Sequence, residues 1–315
     1  MSNIPKRELI ENTTFGVEIE MTGITREAAA RVTASVLADG GQVIHHGGSY
    51  DEWRYVDQQG RSWKYVSDGS ILTTGGHATS CELNTPPLTY SADIEKLQNL
   101  IRALRSAGAV SGTQYGCGIH VHVSGKGHTP QTVKNFVNIL YSKDEVVRKS
   151  LGVSSDRQRW CQPITEDLVE KLKPCKTFEQ LADAWYGTLA PYESRSAHYN
   201  HSRYHILNLH RFFSTLGRPE NTIEIRAFNA CLHAGVVRAY VLLVLSMNAS
   251  ALTQKTIRAT KDPIMQAGNE KFAMRTWLNR MGWTGETFKN PHKLFLERLQ
   301  GDSAYRFGKN GDRFH

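Results

Sequence analysis

The chain has 315 residues, of which 40% are hydrophobic and 22% are charged, and its formal net charge is +8. This composition is typical of a globular protein with a sizeable core, and it excludes a disordered or low-complexity chain. The five cysteines are scattered and include no C-x-x-C pair, which argues against a disulfide framework and a zinc knuckle. No secretory signal is apparent at the start, so we expect a cytoplasmic protein.

Hydrophobic patterns in the first half of the chain predict β-strands with helices inserted between them. An alternating pattern predicts a strand at 13–21, and a helix follows at 25–38 because Thr25 can cap its start and a Gly-Gly pair ends it. The remaining predicted elements are a short strand at 42–46, a hairpin over 53–66 with its turn at 57–60, strand segments near 66–71 and 80–88, and a helix at 91–107.

In the second half, alternation predicts a strand at 119–124, and a Thr-Pro pair begins a predicted helix at 129–150. The long helix predicted at 233–252 contains Arg238 and Asn248, which favours a buried helix over a bilayer span, so we expect no membrane association. Other predicted elements are short helices at 165–172 and 177–186, strands at 204–212 and 222–228, and two helices at 270–281 and 291–299. Together these elements predict an α+β fold.

Positive charge is concentrated in residues 254–315, which we call the C-terminal extension. It holds 12 Lys and Arg against 6 Asp and Glu, a net charge of +6. Such a charge attracts nucleic acid and other polyanions but serves solubility equally well. Too few aromatic residues alternate with the basic ones to form an obvious stacking platform, so nucleic acid is an open alternative that we do not favour. Its apolar residues instead predict a folded, helical extension.

Three predicted strands carry polar side chains with catalytic potential. Side chains two apart on a strand share a face. Each of these strands therefore presents its polar residues on one face and its apolar residues on the opposite face. If the strands lie in one sheet, these side chains converge on one surface. They are Glu18 and Glu20 on the first strand, His120, His122 and Ser124 on the second, and Glu224 and Arg226 on the third.

The pattern has two interpretations. An antiparallel sheet with one solvated face also alternates polar with apolar residues. However, carboxylates two apart on one face repel each other unless a cation lies between them. Oxygen ligands favour Mg²⁺ or Mn²⁺, whereas histidine tolerates Mn²⁺ or Zn²⁺ better. The second interpretation is therefore a site for divalent cations and phosphate, in which Arg226 and Arg211 are the candidate phosphate-binding residues.

No Walker sequence and no glycine-rich dinucleotide turn is present. Six motifs in order nevertheless resemble the amidoligases of the carboxylate-amine ligase superfamily, relatives of glutamine synthetase and glutamate-cysteine ligase. The resemblance covers roughly residues 13 to 250. The motifs are Phe15-Gly-Val-Glu-Ile-Glu20, Asp68-Gly-Ser70, Cys81-Glu-Leu-Asn-Thr-Pro-Pro-Leu88, Gly118-Ile-His-Val-His-Val-Ser124, Arg203-Tyr204 with Leu207-Asn-Leu209, and Thr222-Ile-Glu-Ile-Arg-Ala-Phe228.

The resemblance implies a curved antiparallel sheet, flanked by helices, whose concave face binds ATP and metal ions as in the glutamine synthetase catalytic domain. It implies an ATP-dependent ligase that joins a carboxylate to an amine through an acyl phosphate, with Mg²⁺ or Mn²⁺ as the metal and with substrates that are small molecules or are attached to macromolecules. The amidoligase catalytic domain would span residues 1–253 and precede the C-terminal extension.

The same resemblance implies a role for each matching residue. His122 and Ser124 fall at nucleotide-contacting positions, and Arg226 matches a phosphate clamp. A second phosphate-facing arginine is expected before the last strand, where Arg203, Arg211 and Arg218 all qualify. Asp68 precedes a glycine and is either a turn former or an acidic site residue. The metal ligands implied are Glu18, Glu20, Glu82, His120 and Glu224.

Two other functions compete with the ligase. A metal-dependent hydrolase could use the His-x-His pair and the carboxylates to hold Zn²⁺ and activate water. A basic module could bind nucleic acid through the C-terminal extension. The acidic positions shared among strands, and an arginine beside Glu224, favour phosphate and Mg²⁺ over the hydrolase.

Overall fold

A computed structural model describes residues 4–153, 155–261 and 268–307. It is a mixed α/β structure in which nine strands have an antiparallel arrangement that is not closed into a barrel. The predicted combination of antiparallel strands and helices is therefore confirmed. The chain divides into two compact units. The first unit comprises residues 11–122 and 228–242, and the second comprises the described residues of 1–10, 123–227 and 243–315.

Strands β1 to β7 belong wholly or partly to the first unit. Their order is β2-β3-β4-β5-β1-β7, and β6 pairs with β1. Strand β7 begins in this unit and ends in the second. The strands are β1 (Thr14–Met21), β2 (Gln42–Gly47), β3 (Glu52–Val56), β4 (Ser62–Val66), β5 (Cys81–Asn84), β6 (Leu88–Thr89) and β7 (Gly118–Ser124).

Strand β1 forms because its apolar residues alternate with polar ones, and the apolar set is fully buried: Phe15, Val17, Ile19 and Met21. The predicted hairpin of β3 and β4 is also confirmed. Its turn depends on Asp57, whose Oδ1 accepts the backbone N–H groups of Gln59 and Arg61 at 3.0 and 2.9 Å. Gly60 adopts the positive φ of 75° that this turn requires.

Two helices pack within the first unit, and both were predicted. Helix α2 (Arg26–Leu37) is capped by Thr25, which accepts the N–H of Ala28, and it packs on β3, β4 and α3. Helix α3 (Tyr90–Ser106) buries an apolar face. Its Asp93 receives a hydrogen bond of 2.9 Å from Arg61, which ties the helix to the hairpin.

The second unit is mainly helical. Strands β8 (Leu207–Asn208) and β9 (Thr222–Asn229) follow β7 in the order β7-β9-β8, and β9 ends in the first unit. Helix α4 begins with Pro130 after a capping box formed by Thr129 and Thr132. Eight helices lie wholly or partly in the described residues of this unit, and of these α1 ends and α8 begins in the first unit. They are α1 (Lys6–Asn12), α4 (Pro130–Leu151), α5 (Glu166–Leu172), α6 (Phe178–Leu189), α7 (His210–Ser214), α8 (Ala234–Thr253), α9 (Glu270–Arg280) and α10 (Glu286–Leu296).

The strand predicted over 204–212 is largely wrong. Only Leu207–Asn208 is extended, and α7 begins two residues later. The reason lies in Asn208, whose side-chain Oδ1 accepts the backbone N–H of His210 at 2.8 Å. A side chain that bonds the backbone two residues ahead offers an alternative to strand pairing. Helix α1 was not predicted.

Helix α8 is long and apolar enough to cross a membrane by length and composition, but 83% of its most apolar 18-residue window is buried inside the protein. In the part of α8 that belongs to the second unit, polar side chains form hydrogen bonds with other residues of that unit. Asn248 Oδ1 accepts a hydrogen bond of 2.8 Å from the ring of His128, and Ser246 bonds Trp283. This burial is that of a core helix, as the sequence predicted.

The C-terminal extension forms the predicted pair of helices, α9 and α10, which pack on each other and on α4. Ser150 on α4 donates a hydrogen bond of 2.6 Å to the carbonyl of Phe295, and Lys149 pairs with Glu270. Trp283 is fully buried and donates from Nε1 to Ser246 Oγ on α8 at 2.8 Å. These contacts make the described part of the extension integral to the second unit. A domain boundary after residue 253 stays a prediction.

We expect Trp283→Ala to lower the free energy of unfolding by about 3–5 kcal/mol, because it removes a fully buried aromatic ring and leaves Ser246 without its donor. Urea denaturation followed by circular dichroism would measure the change. The control is Tyr305→Ala in the same extension, where the ring is half exposed and the expected change is within about 0.5 kcal/mol. Equal effects of the two substitutions would contradict the docked position of the extension.

Candidate functional site

Three carboxylates meet at the junction of strands β1, β5 and β4 in the first unit. The antiparallel register places Glu20 on β1 directly opposite Glu82 on β5. Asp68 comes just after β4, whose Val66 pairs with Glu82. Each of the three residues offers a carboxylate oxygen within 4.8 Å of the other two. We call Glu20, Asp68 and Glu82 the carboxylate cluster.

Neighbouring donors orient each carboxylate of the cluster. Glu20 Oε2 accepts the backbone N–H of Gly118 at 2.6 Å, and Glu82 Oε1 accepts from the side-chain amide of Asn84 at 2.8 Å. Asp68 Oδ1 accepts from the backbone N–H and hydroxyl of Ser70 at 2.6 and 2.7 Å. The Asp68 bonds form a local turn, as its position before a glycine suggested, and the same carboxylate still belongs to the cluster.

The two histidines of β7 lie beside Glu18 on β1. His120 Nδ1 lies 2.8 Å from Glu18 Oε2, and His122 Nε2 lies 3.0 Å from Glu18 Oε1. The other ring nitrogen of His120 is 4.0 Å from Glu20 Oε1. His120 therefore lies between the two glutamates of β1, with one ring nitrogen oriented by a carboxylate, as is common for histidines that bind metals.

Opposite shifts in pKa distinguish two of these glutamates. Burial and the negative charges of Glu18, Glu20 and Asp68 raise the pKa of Glu82 well above its usual range. Burial would also raise the pKa of Glu18, but His122 and His120 lower it well below its usual range. Glu18 is thus held ionised, whereas the full charge of the carboxylate cluster is favourable only when a cation offsets the repulsion.

A second polar group lies on β9 in the second unit. Arg226 Nη1 donates to Glu224 Oε1 at 2.5 Å, and the amide of Asn208 donates to Glu224 Oε2 at 2.6 Å. Arg157 donates to the backbone carbonyl of Arg226 at 3.3 Å. All four residues are buried. The fixed guanidinium of Arg226 is suited to bind an anion such as phosphate.

Sequence reasoning missed several of these partners. Asn208 and Asn84 lie inside motifs that were recognised, so their position was a usable signal. Arg157 lies in the segment before α5, where the sequence shows no clear periodicity, and no pattern pointed to it. The contact of Arg157 with Arg226 depends on tertiary packing.

The remaining predicted residues have less distinctive surroundings. Arg211 is exposed on α7 and donates to the carbonyl of Glu220 at 3.1 Å. Arg203 donates to the carbonyl of His198, and exposed Arg218 lies 3.8 Å from Glu220. Ser124 accepts the N–H of Lys126 at 3.2 Å. The choice among the three arginines, and the convergence of all predicted site residues on one surface, stay predictions.

The donor set of the carboxylate cluster fits a hard divalent cation. Carboxylate oxygens are the ligands that Mg²⁺ and Mn²⁺ prefer, and three of them within 4.8 Å of one another can share one ion. The raised pKa of Glu82 supports this fit, because a cation would lower the electrostatic cost of ionising the third carboxylate.

Fold and site together define an α/β protein with antiparallel strands and a carboxylate cluster suited to a divalent cation. A family model described as "Putative amidoligase enzyme" matches residues 11–248, well over half of the chain. The chain belongs to this amidoligase family, and the resemblance seen in its motifs is confirmed. The family name indicates an enzyme that forms amide bonds. No match to the chain was found among curated proteins.

We expect Glu82→Gln to stabilise the protein in metal-free buffer near neutral pH by about 1 kcal/mol. The pKa of Glu82 is higher in the folded state than in the unfolded state, where it is about 4.3. The stabilisation from the protonated Glu82 side chain is therefore fully present below pH 4.3, and it is lost as the pH rises through the folded-state pKa. Glutamine cannot ionise and can still accept from Asn84. The free energy of unfolding of the Glu82→Gln variant, measured by urea titration, should therefore be higher than that of the wild type. The difference should be largest near neutral pH and smallest near pH 5.

Millimolar Mg²⁺ should narrow this difference, since a bound cation offsets the same repulsion. The matched control is Glu95→Gln on the exposed face of α3, which should change the stability by less than about 0.5 kcal/mol at any pH. A Glu82→Gln variant that is less stable than the wild type throughout this range would show that the carboxylate cluster carries no net repulsion.

Proposed function

We propose that the protein is an ATP-dependent carboxylate-amine ligase, which forms an amide bond through an acyl phosphate and releases ADP and phosphate. The observation that carries this proposal is the carboxylate cluster of Glu20, Asp68 and Glu82, found in a chain of the amidoligase family. The proposal includes a glutamine synthetase-like curved sheet as the finer fold class. Its substrates are a carboxylate and an amine, either free or attached to a macromolecule.

The metal in this proposal is Mg²⁺ or Mn²⁺, held by Glu20, Asp68 and Glu82. When bound, it supplies positive charge that neutralises phosphate oxygens. The family resemblance adds Glu18, His120 and Glu224 as ligands. Support for Glu18 comes from its lowered pKa, since an ionised carboxylate is the form that binds a cation.

The reaction has two steps. A carboxylate oxygen of the substrate attacks the γ-phosphorus of ATP, the bond to the bridging oxygen breaks, and ADP leaves. The nitrogen of a neutral amine then attacks the carbonyl carbon of the acyl phosphate, phosphate leaves, and the nitrogen loses a proton. ATP is needed because an unactivated carboxylate has oxide as its leaving group.

Residues of the chain act on charge and position in this scheme. Arg226, fixed by Glu224, stabilises the charge that develops on the transferred phosphoryl group. By family resemblance His122 and Ser124 contact the nucleotide, and Arg211 is the candidate for a second phosphate contact. No protein nucleophile is required. Cys117, beside β7, is unsuited to that role because burial raises the pKa of its thiol to about 11.

We expect the protein to bind ATP in the presence of Mg²⁺ or Mn²⁺, and we expect Glu20→Gln to weaken this binding by about 10- to 100-fold. The fold should persist, because the glutamine oxygen can still accept the N–H of Gly118. Calorimetric titration with ATP and each metal would measure the effect, and Glu95→Gln on α3 serves as the control. Tight zinc binding without any ATP binding would instead favour the metal-dependent hydrolase.

We expect turnover to produce ADP and phosphate in equal amounts. Hydroxylamine should intercept the intermediate as a hydroxamate that forms only with ATP and a suitable carboxylate, because an acyl phosphate is open to attack by any amine nucleophile. Coupled assays for each product, run against pools of carboxylates and amines, would identify the reaction. Release of AMP and pyrophosphate would mean that the carboxylate attacks the α-phosphate, and this mechanism would be wrong.

A further inference from the structure

The connection between β4 and β5 in the first unit carries a carboxylate of the cluster near each end. Asp68 follows β4 by two residues, and Glu82 is the second residue of β5. Pairing with β1 fixes Glu82 opposite Glu20, whereas the pairing of β4 with β5 stops at Val66 and Glu82, before Asp68 is reached. A contact other than strand pairing must therefore hold Asp68 beside the other two carboxylates.

A single serine hydroxyl supplies this contact. The register of β4 and β5, continued by two residues beyond Val66 and Glu82, places Ser80 opposite Asp68. Ser80 Oγ accepts the backbone N–H of Asp68 at 2.9 Å and donates to the backbone carbonyl of Asp68 at 2.7 Å. In an antiparallel ladder these two backbone groups would bond the backbone of the opposite residue. The Ser80 side chain therefore replaces both ladder bonds of Asp68.

The backbone of Ser80 is occupied elsewhere, which explains why its side chain has this role. Its N–H donates to the carbonyl of His77 at 3.1 Å, and its carbonyl accepts from Arg26 Nη1 at 2.5 Å. Arg26 also donates from Nη1 to the carbonyl of His77 at 3.3 Å and from Nε to the carbonyl of Asp51 at 3.0 Å. Both Ser80 and Arg26 are buried. The guanidinium thus fixes the backbone of Ser80, and the Ser80 hydroxyl fixes the backbone of Asp68.

The hydrogen bonds between Asp68 and Ser70 cannot have the same effect. They close a local turn within the connection, so the turn and the carboxylate would move together if the connection shifted relative to β5. Gly69 is exposed, and a Cβ added there would meet nothing within 4 Å, which leaves the chain room to move on that side. The Ser80 hydroxyl, in contrast, ties Asp68 directly to the residue that precedes β5.

We propose that Ser80 is a positioning residue for cation binding by the carboxylate cluster, and that Arg26 acts through it. The inference rests on the proposed function, in which Glu20, Asp68 and Glu82 hold Mg²⁺ or Mn²⁺. A cation that shares three carboxylates binds most tightly when their spacing is fixed beforehand, because ordering Asp68 during binding would lower the affinity. Ser80 itself contacts neither the cation nor a substrate in this scheme.

Binding of Mn²⁺ to the full-length protein tests this role. The electron paramagnetic resonance signal of free Mn²⁺ reports the bound fraction, so the titration requires neither ATP nor turnover. We expect Ser80→Ala to weaken Mn²⁺ binding by about tenfold, because the loss of hydrogen-bond partners that orient metal ligands commonly lowers affinity by at least this factor.

The matched control is Ser150→Ala in the second unit. Ser150 is also buried, and its hydroxyl donates to the carbonyl of Phe295 at 2.6 Å. Both substitutions remove a buried hydroxyl that donates to a backbone carbonyl, so both should lower the free energy of unfolding. Only Ser80→Ala should alter the affinity for Mn²⁺.

Amide hydrogen exchange in the wild type provides a measurement that needs neither metal nor substitution. The N–H of Asp68 donates to Ser80 Oγ, whereas the N–H of exposed Gly69 has no hydrogen-bond partner among the residues that the structure describes. After correction for intrinsic rates, the amide of Asp68 should exchange at least about tenfold more slowly than that of Gly69. This comparison is decisive even if Ser80→Ala does not fold.

Weaker Mn²⁺ binding by Ser80→Ala, with unchanged binding by Ser150→Ala, supports the inference. Three results overturn it: Ser80→Ala binds Mn²⁺ as the wild type does, both substitutions weaken binding equally, or the amides of Asp68 and Gly69 exchange at the same corrected rate. Each of these results leaves the proposed metal site intact when the wild type binds Mn²⁺. A wild type that binds no Mn²⁺ would instead overturn the proposed metal site, and this inference with it.

Discussion

The repulsion between Glu20 and Glu82 is the constraint on which the first unit's site depends. Antiparallel pairing of β1 with β5 places these two side chains directly opposite each other, and Asp68 adds a third negative charge. Like charges at opposed positions of a sheet destabilise it. The strands keep this arrangement because their other face is anchored by apolar side chains such as Ile19 and Leu83, both fully buried. Packing of the core therefore keeps the carboxylates at positions where they repel each other, and a bound cation would reduce this repulsion.

The alternation of residues on β1 and β7 could be predicted from sequence because a strand has a period of two, whatever its neighbours are. The register between β1 and β5 could not be predicted in this way. Placing Glu82 opposite Glu20 requires a pairing between segments about 60 residues apart, which no local pattern encodes. Glu82 was nevertheless found through the family motif, and Asp68 was recognised only as a choice between a turn former and a site residue. It does both.

Predictions failed where side-chain bonds to the backbone competed with strand pairing. Segment 204–212 alternates well enough for a strand, but Asn208 ends the extended region by accepting the N–H of His210. The Nδ2 group of the same side chain donates a hydrogen bond to Glu224 Oε2. The residue that breaks the predicted strand thus also orients a candidate site carboxylate, and such a double role is visible only once the fold brings β8 beside β9.

The residues of these sites favour chemistry that depends on where charges are positioned, and they do not favour attack by a cysteine thiol. Cys81 and Cys117 are buried, and burial raises the pKa of both thiols, so neither is a ready nucleophile. Glu18 is held ionised by two histidines, whereas Glu82 resists ionisation beside its neighbours. Under the proposed function, a cation bound beside Glu82 would favour loss of the proton from its carboxyl group, so metal binding would release a proton. The bound cation would then neutralise phosphate charge before a weak oxygen nucleophile attacks.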